Sequence, residues 1–219
     1  MNVIKTLYHR TIRPLLPGKI SVHNGIPTRG AVKLFDWTDE FPEYEAALLS
    51  SIRRVTTTGQ QVTVVGGGIG ISTVVAAANT VLSDTVTTYE GNPGQVSRVR
   101  ETVRLNRVTD QCTVEHAVVG ENVGVYGSAG DAPVVPPSAL PDTDLLILDC
   151  EGAETTIIEG LDVLPEVIIV ETHGFLGVPE PDVRAVLDTK GYTVRQRRPE
   201  DESSGVVILT ATRDSTAPP

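Results

Sequence analysis

Only two cysteines, Cys112 and Cys150, occur among the 219 residues. Both fall in or beside expected core strands, a pattern that excludes a disulfide framework and a cysteine-based metal cluster. No metal-ligand set is identified, and a cytoplasmic location is expected. No run of about 18 apolar residues is present, so no helix is expected to cross a membrane. The first residues show neither the apolar core nor the small-residue cleavage site of a signal peptide. Lysine is scarce, at four of the 18 basic residues, while Asp, Glu, Thr and Val are plentiful. Salt adaptation and lineage composition both produce such a bias.

What is present is an ordinary apolar content of 40% and a chain length that supports one substantial core with an extension. The net charge of −10 is uneven, because residues 1–35 carry +6 and the remainder −16. An acidic body argues against wrapping nucleic-acid phosphates, so no nucleic-acid partner is expected.

Residues 3–16 place Val3, Ile4, Leu7, Tyr8, Ile12, Leu15 and Leu16 at helical spacing, with a kink or end near residue 13 imposed by Pro14. Packing on the main domain and peripheral contact with an anionic membrane both fit this basic amphipathic segment. Short strands are expected around 19–22 and 31–35, and a helix over 42–55. Strands and helices then alternate: strands at 62–65, 85–90, 112–117, 144–149 and 165–171, helices at 71–82, 93–106, 153–161 and 181–190. Residues 192–197 and 206–212 close as a strand pair, and 120–143 form a long connection. This order predicts an α/β fold with a mostly parallel sheet covered by helices on both faces and an antiparallel edge. The expected division is an extension over 1–43, a main domain over 44–213 and a tail over 214–219.

Chemistry-bearing residues gather where these strands end. Val62 to Val65 runs into Gly66-Gly67-Gly68-Ile69-Gly70, a buried strand meeting a glycine turn and a helix start, which suits an anionic or nucleotide-like ligand. The dinucleotide spacing G-x-G-x-x-G fails at Ile71 and at Thr73, whereas Gly66, Gly68 and Gly70 satisfy G-x-G-x-G. No Gly-Lys-Ser/Thr follows, so the Walker pattern is excluded. Glu90 ends the next strand, where an acid accepts hydrogen bonds from ribose hydroxyls. Asp149 and Glu151 follow a wholly apolar strand, placed to orient a cofactor ammonium, accept a proton or bind a cation, or to cap the next helix. His173 shares the end of the fifth strand with Glu171, and a histidine there suits proton transfer near neutrality. His116 and Ala117 end the third strand beside the same crevice.

Together, Val64–Gly70, Tyr89–Pro93, Leu105-Asn106, Leu148–Glu154 and Val170–Gly174 resemble an FkbM-type S-adenosylmethionine-dependent methyltransferase of class I. The resemblance implies a doubly wound, mostly parallel seven-stranded sheet with an antiparallel last strand, S-adenosylmethionine as cofactor and methylation of a hydroxyl on a small molecule, sugar or glycan. It implies that Gly66, Gly68 and Gly70 hold the methionine part, Glu90 the ribose, and His116 and Ala117 the adenine. Asp149 then lies beside both methionine and acceptor, and His173 is the candidate base, with Asp149 or Glu151 as its competitor. Val64 stands where many class I enzymes carry an acid, which leaves the cofactor's amino group to backbone carbonyls or Asp149. A nicotinamide-dependent oxidoreductase and a non-catalytic nucleotide-fold binding protein are the alternatives. The former lacks a Tyr-x-x-x-Lys pair.

Overall fold

The computed structural model describes residues 8–120 and 127–213. The first strands lie ahead of the main sheet: β1 (Gly18–His23), β2 (Ile26–Lys33) and β3 (Glu40–Phe41) form a three-stranded sheet in the order β2-β1-β3. Asn24 and Gly25, both at positive φ, make the tight turn joining β1 to β2, so the second strand begins well before the expected residue 31. Helix α1 (Ala46–Val55) precedes the central strand β4 (Val62–Val65). Then come α2 (Ile71–Thr80), β5 (Val86–Glu90), α3 (Pro93–Leu105) and β6 (Cys112–His116). A short parallel pair, β7 (Val118–Val119) and β8 (Val134–Val135), belongs to the long connection. The chain closes with β9 (Leu145–Leu148), α4 (Glu154–Glu159), β10 (Val167–His173), α5 (Glu180–Thr189), β11 (Tyr192–Asp201) and β12 (Val206–Arg213).

The seven-stranded sheet has the order β11-β12-β10-β9-β4-β5-β6. Neighbours from β10 to β6 are parallel, and β12 runs antiparallel to both β10 and β11. The expected doubly wound sheet is therefore present. Its centre is buried on both faces, which is why β4 and β9 read as unbroken apolar or β-branched runs. Alternation divides those runs between two helix layers. Leu145 and Ile147 pack with Leu48, Leu49, Ile52, Ile71 and Val75 from α1 and α2. Leu146 and Leu148 pack with Ile157, Ile158, Val183 and Leu187 from α4 and α5. Full burial of one such aliphatic side chain stabilises the fold by about 1.5–3 kcal/mol.

Several boundaries differ from expectation for visible reasons. The helix expected from residue 42 starts at Ala46, because Glu45 takes a left-handed φ of 45°. Its first amides are capped from far away: Glu200 accepts from Ala46 N at 3.0 Å and Ala47 N at 2.7 Å. Helix α2 stops at Thr80, where Val81 turns left-handed and its N–H bonds Ala77 O. The amphipathic segment is no continuous helix within its described part. A single π-helical turn over Tyr8–Ile12 gives way to a 3-10 turn at Arg13–Leu15, where Pro14 removes a donor. Residues 1–7, and the tail expected over 214–219, lie outside the described residues. No described helix is long and apolar enough to cross a membrane.

Candidate active site

Crossing of β4 into α2 opens the carboxyl edge of the sheet. Gly66 sits at φ 92°, and a Cβ there would stand 1.6 Å from the Asp149 carbonyl oxygen. Only glycine lets the loop pass the end of β9 so closely. Gly68, at φ 52°, has nothing within 4 Å of its would-be Cβ, so its face is open. Gly70 is the left-handed residue before α2, where a Cβ would meet Val99 and Thr102 of α3. It sets helix packing, while Gly66 and Gly68 line a cavity of about 420 Å³.

Glu90 is buried at the wall of that cavity. One carboxylate oxygen accepts from Gly68 N at 2.9 Å and the other from Asn92 N at 2.7 Å. The acid thereby ties the glycine loop to the turn after β5, and each of its oxygens keeps further acceptor capacity. Ala117 also lines the cavity. His116 braces the same turn, with Nε2 donating to the Gly91 carbonyl at 3.1 Å. Val64 is wholly buried in the helix layer against α1 and α2, so no side chain at that position reaches the cavity.

Asp149 and Glu151 lie on the opposite wall. Asp149 N donates to Val65 O at 3.0 Å, and Glu151 takes a left-handed φ of 55° in the turn leading to α4. Burial pushes the Asp149 carboxyl up to about 6, against the pull of His173. Glu171 is raised further, to about 10, by burial and then by the charge of Asp149. Both follow from crowding acids in a low-dielectric edge.

His173 is only 5% exposed and stands behind Asp149. Its Nδ1 lies 2.6 Å from Glu154 Oε1, while Nε2 is 3.6 Å from Asp149 Oδ1 and 3.9 Å from Glu171 Oε1. Glu154, not Glu171, therefore orients the ring. Glu154 also accepts from Gly152 N at 3.1 Å, ahead of α4. Glu154 raises the His173 pKa, opposing the lowering caused by burial.

Three lining residues escape sequence reasoning altogether. His23, Tyr44 and Glu45 reach the cavity from the segment ahead of the main sheet. That segment is anchored to α3 by Asn106, whose side-chain amide donates to the Pro27 carbonyl at 2.8 Å. Burial and the nearby Asp149 push the Glu45 carboxyl up to about 8. No local motif marks these residues, since their place depends on long-range packing.

No protein-family model matches this sequence, and no curated protein does. Solved structures match in shape. Trm5b from Pyrococcus abyssi aligns with a TM-score of 0.58 at 16% identity, over 90% of this chain and 56% of that one. The complex of aTrm5 with tRNALeu gives 0.61 at 12%, over 91% and 54%. P. horikoshii TYW2, in complex with MeSAdo, gives 0.57 at 17%, over 89% and 70%. The chain thus spans about half the length of the two Trm5 proteins, at 56% and 54%. What is shared at these identities is the fold, that of class I S-adenosylmethionine-dependent methyltransferases. The expected cofactor agrees with these neighbours, whereas the FkbM-type assignment has no family match behind it.

One expectation is overturned. The exclusion of nucleic acid, with a small-molecule or glycan acceptor in its place, does not stand beside a neighbour of this fold complexed with tRNALeu. The physical error lay in summing charge over the acidic body. Phosphates respond to local potential within a Debye length of roughly 10 Å. Arg98, Arg100, Arg104 and Arg107 are exposed along and just beyond α3, and Arg98 lines the cavity.

Proposed function

We propose that the chain is an S-adenosylmethionine-dependent methyltransferase whose acceptor lies on an RNA. The observation that carries this reading is the opened glycine loop flanked by acids from both neighbouring strands, Glu90 on β5 and Asp149 beyond β9. Glu90 suits ribose hydroxyls, and Asp149 with Glu45 suits the cofactor's ammonium. Those two acids take over the task that Val64 leaves unfilled. Ala117 supplies apolar contact for the base. When bound, the cofactor supplies an electrophilic methyl group on a sulfonium, so alignment is the protein's main contribution.

For a hydroxyl acceptor, a base must take the proton as the new bond forms. Of the acids lining the cavity, Asp149 and Glu151 stand just beyond β9, and the buried His173 is next to Asp149. In this reading Asp149 receives the proton and His173 acts through it. The RNA acceptor is supported by the exposed Arg98 at the cavity wall and by a neighbour of this fold complexed with tRNALeu.

Calorimetry with S-adenosylmethionine and with NAD tests the cofactor, and binding of NAD alone would sink the proposal. Labelled-methyl transfer to host tRNA tests the acceptor. Cofactor binding without any label in RNA would remove RNA as the substrate. Replacing Glu90 by Ala weakens cofactor binding about 10- to 100-fold, the scale of a hydrogen bond to a charged group. Asp149→Asn lowers turnover roughly 10²–10⁴-fold.

A further inference from the structure

Three buried or half-buried ligand-type side chains converge at the carboxyl ends of β9 and β10. One ligating atom each from Asp149, Glu171 and His173 lies within 4.8 Å of the others. Among the described residues, no lysine or arginine forms an ion pair with Asp149, Glu154 or Glu171. Glu171 is 8% exposed and its Oε2 has no hydrogen-bond partner, as is also true of Oε2 of the fully enclosed Glu154. A buried carboxyl oxygen without a hydrogen-bond partner is costly. Such a group calls for a cation.

The histidine is set up to supply one more ligand. With Nδ1 donating to Glu154, the neutral ring presents the Nε2 lone pair to Asp149 and Glu171. A lone pair facing two carboxyl groups at 3.6 and 3.9 Å is repulsive unless a proton or a metal cation lies between them, and a cation lets both acids ionise. The carboxylate–histidine pairing behind the ligand atom is the arrangement that orients metal-bound imidazoles. An ion with bonds of about 2.1 Å spans ligands up to about 4.2 Å apart, so both histidine distances already suit one.

We propose that Asp149, Glu171 and His173 bind a divalent transition-metal cation of the Mn²⁺ or Zn²⁺ kind in the wall of the cofactor cavity. One imidazole with two carboxylates favours these ions over calcium, which takes oxygen ligands alone. Asp149 bridges cluster and cavity, so the cation's open positions face the acceptor. Its role there, holding an acceptor oxygen, rests on the methyltransferase reading; the binding itself does not.

The test uses the full chain after chelator treatment, titrated with MnCl₂ in a calorimeter and examined by pulsed electron paramagnetic resonance. One equivalent of Mn²⁺ should bind, with hyperfine coupling to a single imidazole nitrogen. The isosteric E171Q should weaken binding at least about 10-fold, the effect of losing a charged ligand, and H173Q should abolish the nitrogen coupling. Melting curves in chelator confirm that both variants fold. Absence of saturable uptake of Mn²⁺ or of Zn²⁺, or uptake unchanged in both variants, overturns the proposal. Cofactor titration in chelator is run separately, so loss of the methyltransferase reading and loss of the metal site give different results.

Discussion

Two halves of the same sheet edge are built from different materials. On the β4–β5 side the site is mostly backbone: glycine conformations, amide donors and one acid that bonds two of them. On the β9–β10 side it is mostly side chains, with Asp149, Glu154, Glu171 and His173 meeting in a poorly solvated wall. The first half is encoded within a short stretch of sequence and tolerates little change in shape. The second is assembled across the β9–α4–β10 unit and depends on charge balance.

The largest expected effects come from breaking each half at its most constrained atom. Gly66→Ala places a methyl 1.6 Å from the Asp149 carbonyl, so it should cost at least about 4 kcal/mol or prevent folding. Gly68→Ala meets no atom within 4 Å and should cost only the left-handed strain, about 1–2 kcal/mol. Urea unfolding of the pair checks this, and equal costs would show that the loop does not depend on its approach to β9. On the other half, His173→Ala leaves Glu154 enclosed without its partner and should cost about 3 kcal/mol or more. Glu154→Gln keeps an acceptor for the ring and should cost less. If the two unfold alike, charge is not what holds that wall together.

Smaller effects sharpen the contrast by probing supports outside the edge. Glu200→Ala strips the cap from α1 and should lower stability by about 1–2 kcal/mol, seen as a shift in urea midpoint without change in slope. The smallest effect concerns Asp36 in the segment ahead of the main sheet. The hydrogen bond from Arg13 and the Lys33 amide hold its carboxyl at about 2, below the ordinary 3.8. The ion pair's contribution is therefore complete above pH 3.8 and is lost as pH falls through about 2. Asp36→Asn should thus lower the melting temperature slightly at pH 6, with the difference shrinking as pH falls from 3.8 toward 2.

Legibility in the sequence follows the same divide. The strands of the sheet and the glycine turn were readable because apolar runs and glycine spacing act locally. The 3.6 Å approach of His173 to Asp149 was readable only as two strand ends sharing one edge. Glu154's grip on the histidine was not readable, since an acid in the first turn of a helix has an adequate local explanation. Glu45 and His23 carry no local signal at all. The reading of charge failed for a related reason, because the sum over an acidic body does not show where exposed arginines such as Arg98 stand.

By itself, then, the sequence determined the layered fold and the place where its strands open, because burial pattern and backbone freedom are properties of neighbouring residues. The tertiary structure alone decided which acids share a wall, which histidine nitrogen faces them, and which part of the leading segment closes the cavity. Those outcomes depend on distances between residues far apart in the chain, and electrostatic energy depends on distance and burial that no spacing in sequence records.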